Sequence, residues 1–224
     1  MSNTFTPRLD ILPAAQRQLW PELAKTPTEF TLYGGTAIAL RLAHRQSVDF
    51  DFFAVTSFEP RALLERLPYL KGAALRRSAP NTLTVTVDRG GPVQLSFFGG
   101  LTLGQVSPAE TVEGPGFKVA ALIDLAGMKV AVVTQRAELK DYLDIHALLT
   151  KAGIPLPKML AAGGVIYGAE FNPLLSLKAI AYHNDPTLAD LPDNVRHDLS
   201  EAVKATTPQQ LPVLSAVRMR GANT

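Results

Sequence analysis

An α/β (α+β) fold, a mixed β-sheet core with flanking helices and a helical C-terminal region, is what the sequence predicts, and three observations predict it. A short extended run, Phe30 to Tyr33, meets Gly34-Gly35-Thr36 and then an apolar helical pattern, the order strand, turn, helix. Val48 to Phe53 alternates acidic and apolar residues with the period of a strand. Thr82 to Val87 and Val93 to Phe98 are β-rich and flank Asp88-Arg89-Gly90-Gly91-Pro92, the pattern of a hairpin, so the sheet is partly antiparallel. From Val119 onward the spacing turns helical. The expected division is 1–118 for the α/β core with its N-terminal helix and 119–224 for a helical region that completes the cleft.

The elements follow in order. Pro13 to Leu23 has apolar residues at helical spacing and stops at Lys25-Thr26-Pro27-Thr28, a turn. After Thr36, the residues Ala37, Ile38, Leu40, Leu42 and Ala43 give a helix with a broad apolar face. In the next strand Asp49 and Asp51 share one face while Phe50 and Phe52 point to the other, into the core. Pro60 to Leu67 is a helix with proline in its first turn, where a missing N–H costs nothing. Ala120 to Gln135 and Lys140 to Thr150 are the clearest helices, and breaks at Gly153-Ile154-Pro155 and Asn172-Pro173 divide those that follow. The tail from Thr206 is rich in Pro, Gln and Thr and is expected to be partly disordered.

Composition excludes several classes. There are no cysteines, so neither a disulfide framework nor a thiolate metal site exists, and a reducing cytoplasm is the expected location. No apolar run reaches the roughly 18 residues of a membrane span, so no membrane partner is expected. The 22 basic and 20 acidic residues nearly balance, so any nucleic-acid contact must be local. Lys71, Arg76 and Arg77 form the nearest basic cluster and are read as solvated surface residues.

The chemistry lies between residues 34 and 51. Two carboxylates at i and i+2 on a strand repel each other unless a cation compensates, and magnesium takes carboxylate oxygens, waters and substrate phosphates. A solvated face has the same Asp-x-Asp pattern. The Gly34-Gly35-Thr36 turn weighs for a site, because two glycines opening a helix bring backbone N–H groups close to an anion. Thr36 also suits a helix cap. Arg41, His44, Arg45 and Ser47 stand between turn and acids; Arg45 and Ser47 are candidate phosphate ligands, while His44 and His146 are read as packed histidines.

The block GGTAIALRLAHRQSVDFDFF resembles the first motif of nucleotidyltransferases of the DNA-polymerase-β superfamily. More narrowly, the chain resembles the AbiEii/AbiGii toxin family, in which such a block is followed by a helical lysine and an Asp-x-x-Asp helix. Here AGMKVAVV carries Lys129, and KDYLDIHALL carries Asp141 and Asp144. The resemblance runs from about Phe30 to Leu149. It implies a nucleotidyltransferase-like fold and transfer of an NMP from an NTP to an acceptor hydroxyl, with RNA or a tRNA end as acceptor and toxicity restrained by an antitoxin. It implies Asp49, Asp51, Lys129 and Asp144 as catalytic residues, with Asp49 and Asp51 holding Mg2+ and Asp144 positioning an acceptor hydroxyl or supporting Lys129. Gly34, Gly35, Thr36, Arg45, Ser47 and Lys129 are the implied phosphate ligands. Superfamily polymerases add a third carboxylate from a neighbouring strand; Val93 to Phe98 offers Gln94 and Ser96 instead. That difference keeps two alternatives open: a catalytically silent nucleotide- or partner-binding module, and a housekeeping transferase acting on a protein or small molecule.

Overall fold

A computed structural model describes residues 4–218. The chain divides into two compact units: one holds the chain up to Thr102 together with Ala109–Ala120, the other Leu103–Pro108 and the chain from Ala121 onward.

The first unit contains, in order, β1 (Thr4–Phe5), α1 (Ala14–Leu19), β2 (Thr31–Tyr33), α2 (Gly34–Leu42), β3 (Asp49–Phe53), α3 (Pro60–Arg66), β4 (Ala74–Ala79), β5 (Thr82–Asp88), β6 (Pro92–Phe98), β7 (Glu110–Val112) and β8 (Lys118–Val119). All eight strands form one mixed sheet in the order β1-β7-β8-β2-β3-β6-β5-β4. β3 runs parallel to β6, whereas β2 with β3 and β5 with β6 are antiparallel. One sheet face is apolar: Phe50, Phe52, Leu83, Val85, Leu95 and Phe97 are at most 1% exposed. Burying each of the phenylalanines contributes about 1.5–3 kcal/mol. Phe52 stacks on Phe97, and Trp20 packs against Phe50 and Phe117.

The expected strands and hairpin are present with ends shifted by a residue or so. The first helix is shorter than its apolar pattern, because Trp20–Lys25 tightens into a 3-10 turn around Pro21. Four strands were not foreseen. β1, β7 and β8 have two or three residues, too few for any period to show, and β4 is an exposed edge strand without apolar alternation.

The second unit is helical: α4 (Leu122–Val132), α5 (Leu139–Thr150), α6 (Leu156–Tyr167), α7 (Pro173–Ala181) and α8 (Asp193–Lys204). α4 and α6 approach closely at Gly127, where an added Cβ would lie 2.8 Å from the backbone of Ala162 and Gly163. Asn172 caps α7 by accepting the N–H of Leu174 at 3.0 Å, which explains the Asn-Pro break. The buried carboxylate of Asp124 accepts the N–H groups of Val106 and Ser107, fastening Leu103–Pro108 to α4, while burial pushes its pKa up. The tail expected to be disordered has no regular structure from 206 to 216, but Arg218 pairs with Gln105. Residues 219–224 of that tail lie outside the described residues. Among the described residues no helix is long and apolar enough to cross a membrane.

Candidate active site

In the first unit the backbone brings turn and acids together. β2 pairs with β3 so that Tyr33 lies opposite Asp51, and the chain passes from Tyr33 directly into α2. The helix begins at Gly34 itself, not after the Gly-Gly-Thr turn, because Gly34 has φ 76°, a left-handed value that lets strand become helix in one step. A Cβ at Gly34 would sit 2.7 Å from Oδ2 of Asp51, so the glycine gives this carboxylate its place. At Gly35 a Cβ would collide with the Arg45 guanidinium and lie 3.0 Å from Oγ of Ser47. Gly34, Gly35, Arg45, Ser47 and Asp51 are thus neighbours.

Thr36 is not the helix cap. It stands in the third position of α2, its hydroxyl donates to the carbonyl of Asp49 at 2.5 Å, and no side chain caps this helix at its N-terminus. The bond ties the first turn of α2 to the start of β3. Arg41 is also structural: it pairs with Glu110 at 3.0 Å and lies over the Phe5 ring, and burial holds its pKa down.

Asp49 and Asp51 lie on the half-exposed face of β3, with Cα atoms about 7 Å apart by strand geometry. Across the parallel pairing with β6 their partners are Gln94 and Ser96. No acid stands in either place, and among the described residues no group of three or more His, Asp or Glu side chains is arranged to hold a metal. Two carboxylates fit magnesium nonetheless, since that ion binds through one or two carboxylates and completes its shell with waters and phosphates.

The second unit holds the other predicted residues. Lys129 on α4 donates to Oδ1 of Asp141 and pairs with Oδ2 of Asp144, both at 2.7 Å, and both acids on α5 are 0% exposed. Arg136 adds a bond to Asp141 at 3.0 Å, a contact its sequence position gave no sign of. Spacing did place Asp141 and Asp144 on one helical face, and the contact of Asp144 with Lys129 is one the resemblance implied; the second bond, from Lys129 to Asp141, was not foreseen. His146 bonds Asp198 at 2.8 Å, joining α5 to α8, as a packed histidine does.

Comparison with known proteins adds three findings. Residues 22–216 match the family model described as nucleotidyl transferase AbiEii toxin, type IV TA system. An uncharacterized protein of Aquifex aeolicus (strain VF5) is 29% identical over 133 residues, 58% of this chain; the matched part spans 63% of that relative. Two solved structures share the fold. MenT4, a nucleotidyltransferase toxin of Mycobacterium tuberculosis H37Rv, superposes with TM-score 0.57 at 16% identity, covering 87% of this chain and 83% of that one. A crystal structure of an assigned nucleotidyltransferase from H. pylori gives TM-score 0.51 at 17% identity, with 85% and 90% covered.

Proposed function

The chain belongs to the AbiEii nucleotidyl transferase toxin family, and from that premise we propose that it transfers an NMP from an NTP to an acceptor hydroxyl, magnesium-dependently, on RNA and most naturally on a tRNA end. The observation that carries this reading is the contact set around Gly34 and Gly35, which gathers Arg45, Ser47 and Asp51 at the start of α2, with Asp49 two residues before Asp51 on the same face of β3.

In the reaction the acceptor hydroxyl gives up its proton to solvent water as its oxygen attacks the α-phosphorus, the bond from that phosphorus to the bridging oxygen breaks, and pyrophosphate leaves with the electron pair. The N-terminal turn of α2 cradles the phosphates with backbone N–H groups, and Arg45 and Ser47 add charge and a hydroxyl beside Gly35. Thr36 keeps this turn in register with Asp49. Asp49 and Asp51 would hold Mg2+, which when bound offsets their repulsion and draws charge from the transferred phosphoryl group. Lys129 is assigned to the nucleotide phosphates. Full burial of Asp144 favours a positioning role, holding Lys129, over contact with the acceptor hydroxyl. As a member of a toxin family, the protein is proposed to be restrained by an antitoxin.

Gln94 and Ser96 opposite the acids favour a second reading, a silent nucleotide-binding module, because β6 beside them offers no third carboxylate to take the acceptor proton. Labelled NTPs with magnesium and total cellular RNA, beside a pyrophosphate assay, separate the two. We expect labelled RNA and pyrophosphate with wild type, and at least a roughly hundredfold loss with Asp49→Asn/Asp51→Asn, about 2.7 kcal/mol of transition-state stabilisation. NTP binding without pyrophosphate would favour the silent module. Equal rates in wild type and the double variant would remove these acids from the chemistry.

A further inference from the structure

The exposed arginines of β4 lie on the same sheet face as the acids. Cross-strand partners share a face, and the registers run Asp51 to Ser96 to Thr84 to Arg77 in one continuous row. The next row runs Asp49 to Gln94 to Thr86. Arg76 joins this face through an irregularity: the β4/β5 register shifts between Leu75 and Arg77, and the guanidinium of Arg76 donates to Oγ1 of Thr86 at 3.0 Å. The shift leaves two consecutive arginines on one side, where regular alternation would divide them. Both are exposed, and neither pairs with a carboxylate among the described residues.

The ground between is neutral. Gln94, Thr82, Thr84 and Thr86 are half-exposed amide and hydroxyl groups with no charge to repel a polyanion. Three strand spacings of about 4.8 Å put the arginines about 14 Å from the acids, on the order of four stacked nucleotides at about 3.4 Å each. They also lie on the far side of β3 from β2, whose end carries Gly34. A chain gripped at β4 therefore approaches the acids from the side opposite the phosphate turn, as in-line displacement needs.

Building on the transferase reading above, we infer that β4, β5 and β6 form a track for the single-stranded RNA acceptor, with Arg76 and Arg77 anchoring a phosphodiester a few nucleotides before the reacting end. Arginines and a bulge also serve to keep an edge strand from pairing with another copy, and the test separates that role.

The test is fluorescence anisotropy with a labelled single-stranded RNA of roughly 12 nucleotides across a salt series, where each neutralised phosphate adds about 0.7 to the slope of log affinity against log salt. Arg76→Gln/Arg77→Gln should bind about tenfold more weakly, with the slope smaller by about 1.4. Arg76→Lys/Arg77→Lys should restore most of the binding, since a single-strand anchor needs charge more than shape. Melting temperature checks folding, and its rise with magnesium plus NTP should stay at the wild-type value. An unchanged salt slope overturns the track, as does a glutamine variant that self-associates while its affinity for RNA holds. Because binding is read without turnover, wild type that grips RNA through both arginines yet transfers nothing would sink the transferase reading and leave the track standing.

Discussion

At the scale of single residues, Gly34 links backbone conformation to chemistry. Its φ of 76° is strained for any residue with a Cβ, and that Cβ would press on the Asp51 carboxylate. Gly34→Ala is therefore expected to lose about 1–2 kcal/mol of stability from the left-handed backbone. Per folded molecule it should also lose at least about tenfold in transfer rate, because the displaced atom is a proposed metal ligand. Thermal unfolding beside steady-state kinetics checks both; full activity per folded molecule would mean that the place of Asp51 does not matter. The acids and glycines were legible in the sequence, since each announces itself by type and spacing. The bond from Thr36 to Asp49 was not, because its acceptor is a backbone carbonyl that only the pairing of β2 with β3 brings within reach.

At the scale of elements, α4 and α5 are joined by Lys129 between two fully buried acids. Removing one partner of such a cluster strands its buried charge, typically at 3–5 kcal/mol. We expect Lys129→Met to cost about 3 kcal/mol, the low end, because Arg136 still faces Asp141. Adding Asp141→Asn and Asp144→Asn should recover most of it. Urea unfolding of the single and triple variants measures this; a Lys129→Met midpoint equal to wild type would show that the lysine carries no packing role and leave only its proposed phosphate contact. The helices were readable because each repeats its apolar period over several turns. β4 was not, since its residues Ala74–Ala79 face solvent and are held by pairing with β5, a tertiary fact.

At the scale of the whole molecule, a ligand that binds only the folded chain stabilises all of it. Magnesium with NTP at about a hundred times its dissociation constant contributes about 2.7 kcal/mol, which for a chain of this size raises the melting temperature by roughly 5–10 °C. Scanning calorimetry should show that rise in wild type and not in Asp49→Asn/Asp51→Asn; the same rise in both would place the nucleotide elsewhere. The mixed sheet was legible in outline, but the passage of Leu103–Pro108 into the second unit was not, because it rests on Asp124 accepting backbone N–H groups from Val106 and Ser107. The sheet order has a further consequence for how the chain is made. β2 lies between β3 and β8, and β8 comes from Lys118–Val119, some 85 residues after Tyr33 by number. A ribosome thus delivers both acids and the inner neighbour of β2 early, yet the strand that leads into the phosphate turn waits for its second hydrogen-bonded partner until synthesis has passed Val119.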